Sequence, residues 1–299
     1  MRTSQTTIWI LILVCLFSCE RVIPYPNLAE EDALLNVSCE VTPSDSTTVT
    51  VSRLFAITHG HRDKEDYSKP LNSKLQFFVN GKEVPVQQTY SDQQDIYSVV
   101  YPFQQGDQVS LICSAPELPT VTASTQIPHA PSTLIQEFKL IKDEATLGGY
   151  LVLKDNPDTF DAYEVSIALT EYYTQFENGE IVSTGKYGHG SYTINPHVAE
   201  WRQVLDDTYA DKHSDITINL KNIKLQYKPK TEIVNGVERI TKTWLESKAT
   251  VHVLSKELYY FNLRYESHSM SPTCYTNIKG GYGLLGAQAS VSSTTIKLE

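Results

Sequence analysis

The sequence predicts an all-β protein built of two antiparallel β-sandwiches, the second carrying one or two short helices. Three observations lead there. Short segments rich in Val, Ile, Thr and Tyr recur along the chain. Asn-Gly pairs and proline clusters separate them at regular spacing, and Tyr is abundant at 18 against 2 Met and 3 Trp. β-Branched and aromatic residues fit a pleated, half-buried surface. With 299 residues, 40% apolar and 20% charged, the chain can bury more than one core and is too apolar for disorder.

The first predicted domain spans residues 31–128. Its strands read "ALLNVSCEV", "TTVTVSRLFAI", "KLQFFV", "VPVQQTY", "DIYSVVYPF", "QVSLICSA" and "TVTASTQI". Asn80-Gly81 between apolar runs is a strong hairpin signal. Seven short strands in so few residues suggest an immunoglobulin-like or transthyretin-like sandwich. "IPHAPST" at 127–133 then supplies a stiff break. The second domain, 134–299, continues with strands, and Asn178-Gly179 and Asn235-Gly236 mark further hairpin tips. Two helices are expected in it. "NPHVAEWRQVLDDTYADK" spaces Val198, Trp201, Val204, Leu205 and Tyr209 at three- and four-residue intervals. "SKELYYFNLRYE" opens on Ser255, a good N-cap.

The N-terminus, "MRTSQTTIWILILVCLFSC", carries Arg2 and then an unbroken apolar run at residues 8–17. Ten helical residues cover only about half of a ~30 Å hydrocarbon core, so residues 1–18 read as a signal peptide. The run closes on Leu16-Phe17-Ser18-Cys19, which resembles a bacterial lipobox, with Phe17 bulkier than usual. That resemblance implies cleavage before Cys19, acylation of its thiol and amine, and a tether over residues 19–30. Several acyl chains anchor stably where one binds marginally. The net charge of −10 without a Lys/Arg cluster argues against nucleic acid, and against electrostatic docking on anionic lipid.

Candidate chemistry is sparse. Gly281, Gly283 and Gly286 spell the dinucleotide fingerprint G-x-G-x-x-G, but only thirteen strand-like residues follow. A βαβ unit does not fit, so no cofactor is expected, and the glycines read as positions of positive φ and close packing. Cys39 and Cys113 leave two readings open, a disulfide across the sandwich or two free buried thiols. Cys274 has no histidine neighbour to make it a nucleophile. His59, His61 and Asp63 alternate on a charged segment but lack a fourth ligand, and Asp155, Asp158 and Asp161 lack the EF-hand spacing, so no metal is expected. His189 lies near Ser191 without a nucleophile elbow or an acid partner. Tyr172-Tyr173 and Tyr259-Tyr260 are candidates for sugar stacking, weighed against cross-strand packing. No catalytic set emerges, and the expectation is a protein that is not an enzyme.

The ending "SPTCYTNIKGGYGLLGAQASVSSTTIKL", with Ser255, Glu257, Tyr259 and Tyr260 ahead of it, resembles the closing box of the DUF4249 family of Bacteroidetes lipoproteins, a domain of unknown function. "LNVSCEVTPSDSTTVTVSR", "STQIPHAP" and "YLVLKDNPDTFDAYEVSI" fit the same plan. The resemblance implies an outer-membrane lipoprotein, often beside TonB-dependent receptors, with no established activity. The alternative is a fimbrillin-like pilin or adhesin assembled by strand exchange.

Overall fold

The structure is a computed structural model that describes residues 33–54, 70–142, 146–156, 161–194, 203–205, 215–224, 229–266 and 275–298. The segments expected to be a signal peptide and a tether, with Cys19, and His59, His61, Asp63, Asp158 and Cys274 lie outside them.

The first half supplies β1 (Leu34–Val41), β2 (Ser46–Leu54), β3 (Lys74–Val79), β4 (Lys82–Val84), β5 (Val86–Ser91), β6 (Gln94–Val100), β7 (Gln108–Ala115) and β8 (Leu118–Gln126). In β1, Leu35, Val37, Cys39 and Val41 are buried at every second position, the period-2 signature of a strand with one face on a core. Strands β1, β2, β6 and β5 lie against the four-stranded sheet β4-β3-β7-β8, and their inward residues meet in one cluster. Every strand expected here is present. Asn80 and Gly81 take positive φ at the hairpin tip, as the Asn-Gly signal requires.

The second half supplies β9 (Ile135–Lys142), β10 (Thr146–Leu153), β11 (Ala162–Glu177), β12 (Glu180–Ile194), β13 (Gln203–Leu205), β14 (Ile216–Lys224), β15 (Lys230–Val234), β16 (Val237–Leu254), α1 (Lys256–Glu266), β17 (Tyr282–Ser292) and β18 (Ile296–Leu298). The helix expected across 195–212 is corrected where it can be seen. Gln203–Leu205 is a strand, paired antiparallel with Ala162, Tyr163 and Glu164 of β11. Open backbone groups on β11 outweigh a weak 3.6-residue spacing, and the rest of that segment lies outside the described residues.

The two halves are not separate bodies. β17 pairs in parallel with β1, from Asn36↔Tyr282 to Val41↔Ala287. One sheet therefore runs β5-β6-β2-β1-β17-β16-β11-β12 through both halves, and a single apolar cluster spans them. The proline-rich 127–133 stretch is packed rather than free-standing. Ile127 and Ala130 are buried, and the Ala130 amide donates to Gln105 Oε1 at 3.0 Å.

The terminal box makes this junction. Asn277 clasps Leu285 at both ends of its amide: its Nδ2 donates to the Leu285 carbonyl at 2.8 Å, and its Oδ1 accepts from the Leu285 amide at 3.0 Å. Lys279 exchanges two backbone hydrogen bonds with Thr122 of β8. Gly283 has φ +107, and a Cβ there would fall on the Val37 carbonyl oxygen of β1. A Cβ on Gly281 would likewise meet the Leu35 carbonyl. The glycines thus admit a neighbouring backbone and open a strand, not a nucleotide-binding helix.

Ser255 caps α1, as expected. Its Oγ accepts from the Leu258 amide at 3.3 Å and from the Ala287 amide of β17 at 3.1 Å. Ser255→Ala removes both bonds and leaves two buried donors unpaired. It is expected to cost about 2 kcal/mol in denaturant unfolding. A loss under about 0.5 kcal/mol would deny the cap this role.

Candidate functional site

Strands β11, β12 and β16 are unusually long, and their far ends form a ribbon with β15. In the body, odd-numbered residues of β11 and β16 face inward and are buried: Val165, Ile167 and Leu169 beside Ala249, Val251 and Leu245. Even positions there are mostly polar, with Ser166, Thr170, Lys248 and Thr250 outward beside Ala168. Beyond Thr170↔Glu246 the polarity reverses. Inward positions become Tyr173, Gln175, Glu177, Thr243, Thr241 and Arg239, while the outward face carries Tyr172, Phe176, Ile240 and Trp244, interspersed with Thr174, Lys242 and Glu238. Glu177 and Arg239, directly opposite, form an ion pair through the Arg239 Nε and Nη2.

An apolar row crosses this outward face from Ile181 on β12 through Phe176 and Ile240 to the neighbourhood of Ile233 on β15. Ile233 is 77% exposed, Ile181 64% and Val182 50%. Each sits just behind an Asn-Gly tip, 178–179 or 235–236, with positive φ at both residues of each turn. Single exposed aliphatics are ordinary on a surface; a row at one end of an outward sheet face is not.

Further back stands a four-strand stack. The Tyr172 and Trp244 rings are parallel, centroids 3.9 Å apart at 6°. Lys186 Nζ lies 5.5 Å from the Tyr172 centroid, and Lys297 Nζ 4.3 Å from that of Trp244. By strand order Lys186 flanks the pair on one side and Lys297 on the other. Both outer ring faces are therefore covered by ammonium groups, an arrangement stabilised by the ring quadrupoles. The Tyr172 hydroxyl donates to Glu246 Oε2 at 3.0 Å, and that bond holds the phenol above its ordinary pKa.

The sequence-predicted tyrosine pairs are thus engaged in packing. Tyr173 lies against Gly185, where a Cβ would strike its ring. Tyr259 is buried, which with Tyr260 beside it pushes its phenol up to about 12. Tyr260 meets Tyr259 edge-on and Tyr275 at a tilt. None presents a bare ring pair for sugar stacking.

Other candidates fall as follows. Asp155 accepts the Tyr163 hydroxyl at 2.6 Å, and Asp161 lines a cleft of about 550 Å³ between the halves. That cleft is floored by Ile127, Leu134 and Tyr163, with Lys154, Lys256 and Glu257 among its polar groups. Glu257 accepts from Thr125 Oγ1 at 2.9 Å, tying α1 to β8. His189 and Ser191 sit on β12 opposite Thr170 and Ala168. The described residues hold a buried polar group that the sequence did not flag: Asp95, 0% exposed, accepts from the Ser73 amide, Ser73 Oγ and Ser91 Oγ, each at 2.6 Å.

Cys39 and Cys113 are free and buried, so the bridge left open by their positions is not formed. Burial pushes the Cys39 thiol up to about 12, against a weak 3.8 Å contact with Thr47 Oγ1 that lowers it. Burial likewise raises Cys113 to about 11. Both remain protonated and unreactive. A thiol whose folded pKa is raised holds its proton better in the folded state. Its stabilising effect is therefore complete below the unfolded value near 9 and is lost as pH climbs towards 12. Iodoacetamide at pH 8 is expected to leave both unlabelled until denaturant is added; prompt native labelling of either would contradict their burial.

Compared with known proteins, the chain matches no family model and no curated sequence.

Proposed function

We propose that the protein is a non-enzymatic, lipid-anchored binding module of a Gram-negative outer membrane, held by Cys19 and making contact through the outward face of its ribbon. The observation that carries this reading is the inverted polarity of β11 and β16 beyond Thr170↔Glu246. A ribbon serving only its own core would turn Phe176, Ile240 and Ile181 inward. Their outward placement is what a contact surface needs. The Leu16-Phe17-Ser18-Cys19 lipobox supports the anchor. A tethered module meets partners in its own membrane at high effective concentration.

The partnership with a TonB-dependent transporter rests on the resemblance of the terminal box to DUF4249 lipoproteins, an argument by analogy. For the pilin alternative, strand exchange would have to open the sheet near its middle. β1 is hydrogen-bonded on both sides, to β2 and to β17, and this weighs for the binding module. Affinity purification from native membranes through a C-terminal tag is expected to recover a receptor barrel. Repeated recovery without one would overturn the transporter partnership, and a ladder of SDS-resistant multimers would favour the pilin.

A further inference from the structure

We propose that the ribbon tip is a second membrane contact: the aliphatic residues behind the two Asn-Gly turns enter the interfacial layer of a bilayer, and the lysines behind them meet anionic headgroups. This rests on the reading of the ribbon as the contact surface and names what that surface meets.

Three observations favour lipid. The first is the order of side chains from the tip inward. Ile181, Val182 and Ile233 come first, with Phe176 and Ile240 level with Ile181 and one acid, Glu238, opposite Ile233; then come Thr174, Thr184 and Lys242, then Lys186, Tyr172, Trp244 and Lys297. Aliphatic, then lysine with threonine, then aromatic with lysine is the sequence of depths a bilayer selects. Trp and Tyr sit at the headgroup level and lysine stems extend along the boundary.

The second is size. The aliphatic row spans four strands, about 14 Å at the usual strand spacing. That is narrow for the ~800 Å² per partner of a stable protein pair, whereas insertion of two hairpin tips needs only a few side chains.

The third is charge. On the ribbon and at its base, Lys186, Lys242 and Lys297 share the outward face with two acids, Glu238 and Glu246, and Glu246 is held by the Tyr172 hydroxyl. Of the other acids near the tip, Glu177 pairs with Arg239 and Glu232 with Lys230, while Glu180 stands opposite Glu177. In a chain of net charge −10 this face is locally positive. The sheet register gathers here lysines that the sequence scatters, a local arrangement that net charge alone does not reveal.

The ribbon tip lies far from the start of β1. From Tyr282, level with the start of β1, the path rises ten residues along β17 to Ser292 and thirteen more from Thr250 to Val237 on β16. At about 3.3 Å per residue that is roughly 75 Å. Attachment at both ends would lay the molecule along the bilayer rather than upright on its tether.

The test uses residues 20–299, which carry no acyl group and keep every described strand and the helix. This chain is expected to co-float with vesicles of phosphatidylethanolamine and phosphatidylglycerol. The Ile181→Ser/Ile233→Ser double variant is expected to lose at least about tenfold of the bound fraction. Lys186→Glu/Lys242→Glu is expected to lose a similar factor on these vesicles and little on pure phosphatidylcholine. Unchanged melting temperatures identify the losses as surface effects. A chain that stays in the dense fraction overturns the proposal, as does flotation that the serine variant retains. Substitutions that dissolve a complex with a protein or a second copy, while vesicles are ignored, would make the face a protein interface and overturn it too. Failure here leaves acylation of Cys19 untouched.

Discussion

Gly283→Ala is expected to be the most damaging single-methyl change in the described structure, costing at least about 4 kcal/mol and lowering the melting temperature by about 8 °C or more. Two penalties combine. With φ +107 the backbone is where L side chains are strained. The added Cβ would also occupy the place of the Val37 carbonyl oxygen. That oxygen belongs to Val37, whose side chain is fully buried, in the strand β1 whose six-residue parallel register with β17 joins the two halves. The clash cannot be relieved by turning a side chain; it requires the ladder to open. Gly236→Ala is the control. It also has positive φ, +80, but nothing within 4 Å of its Cβ, so only the intrinsic penalty of about 1 kcal/mol remains. Equal melting temperatures for the two variants would show that β1 and β17 are not held together at this point.

Asp95→Ala is expected to cost about 3–5 kcal/mol in denaturant unfolding. The carboxylate is fully buried and satisfies three donors, two on Ser73 and one on Ser91. The same Ser73 carbonyl accepts the Tyr97 hydroxyl at 2.6 Å. Removing Asp95 leaves several buried polar groups without partners where β6 meets the approach to β3. Asp95→Asn keeps one acceptor for Ser73 and is expected to cost clearly less. If alanine and asparagine were equally mild, the network would not be a structural tie.

Much of the fold was legible because its signals are local. Alternation in "LLNVSCEV" and the Asn-Gly turns at 80–81, 178–179 and 235–236 located strands and hairpins, and Ser255 located the helix start. The glycine box was readable as turn and close packing because the residues directly after it, "AQASVS", are strand-like rather than helical. What was not legible depends on register between distant segments. No local pattern announces that β1 pairs with β17 some 250 residues later. Asp95 sits in "DIYSVV", where an acid at a strand start reads as exposed; only the approach of Ser73 and Ser91 makes burial tolerable. The ribbon's contact face was hidden for the same reason. Tyr172, Phe176, Ile240 and Trp244 alternate plainly enough in sequence. Which face is outward follows only from the buried odd positions further along β11 and β16. Gln203–Leu205 shows the opposite failure, a helical spacing overridden by an available strand edge.

The account rests on Cys19 as the lipid-bearing first residue of the mature protein. Mass spectrometry of the N-terminal peptide from native membranes tests this without reference to the ribbon. The account predicts a peptide beginning at Cys19 that carries a diacylglyceryl thioether and an acylated amine. A mature chain that begins elsewhere, or that begins at an unmodified Cys19, would contradict it.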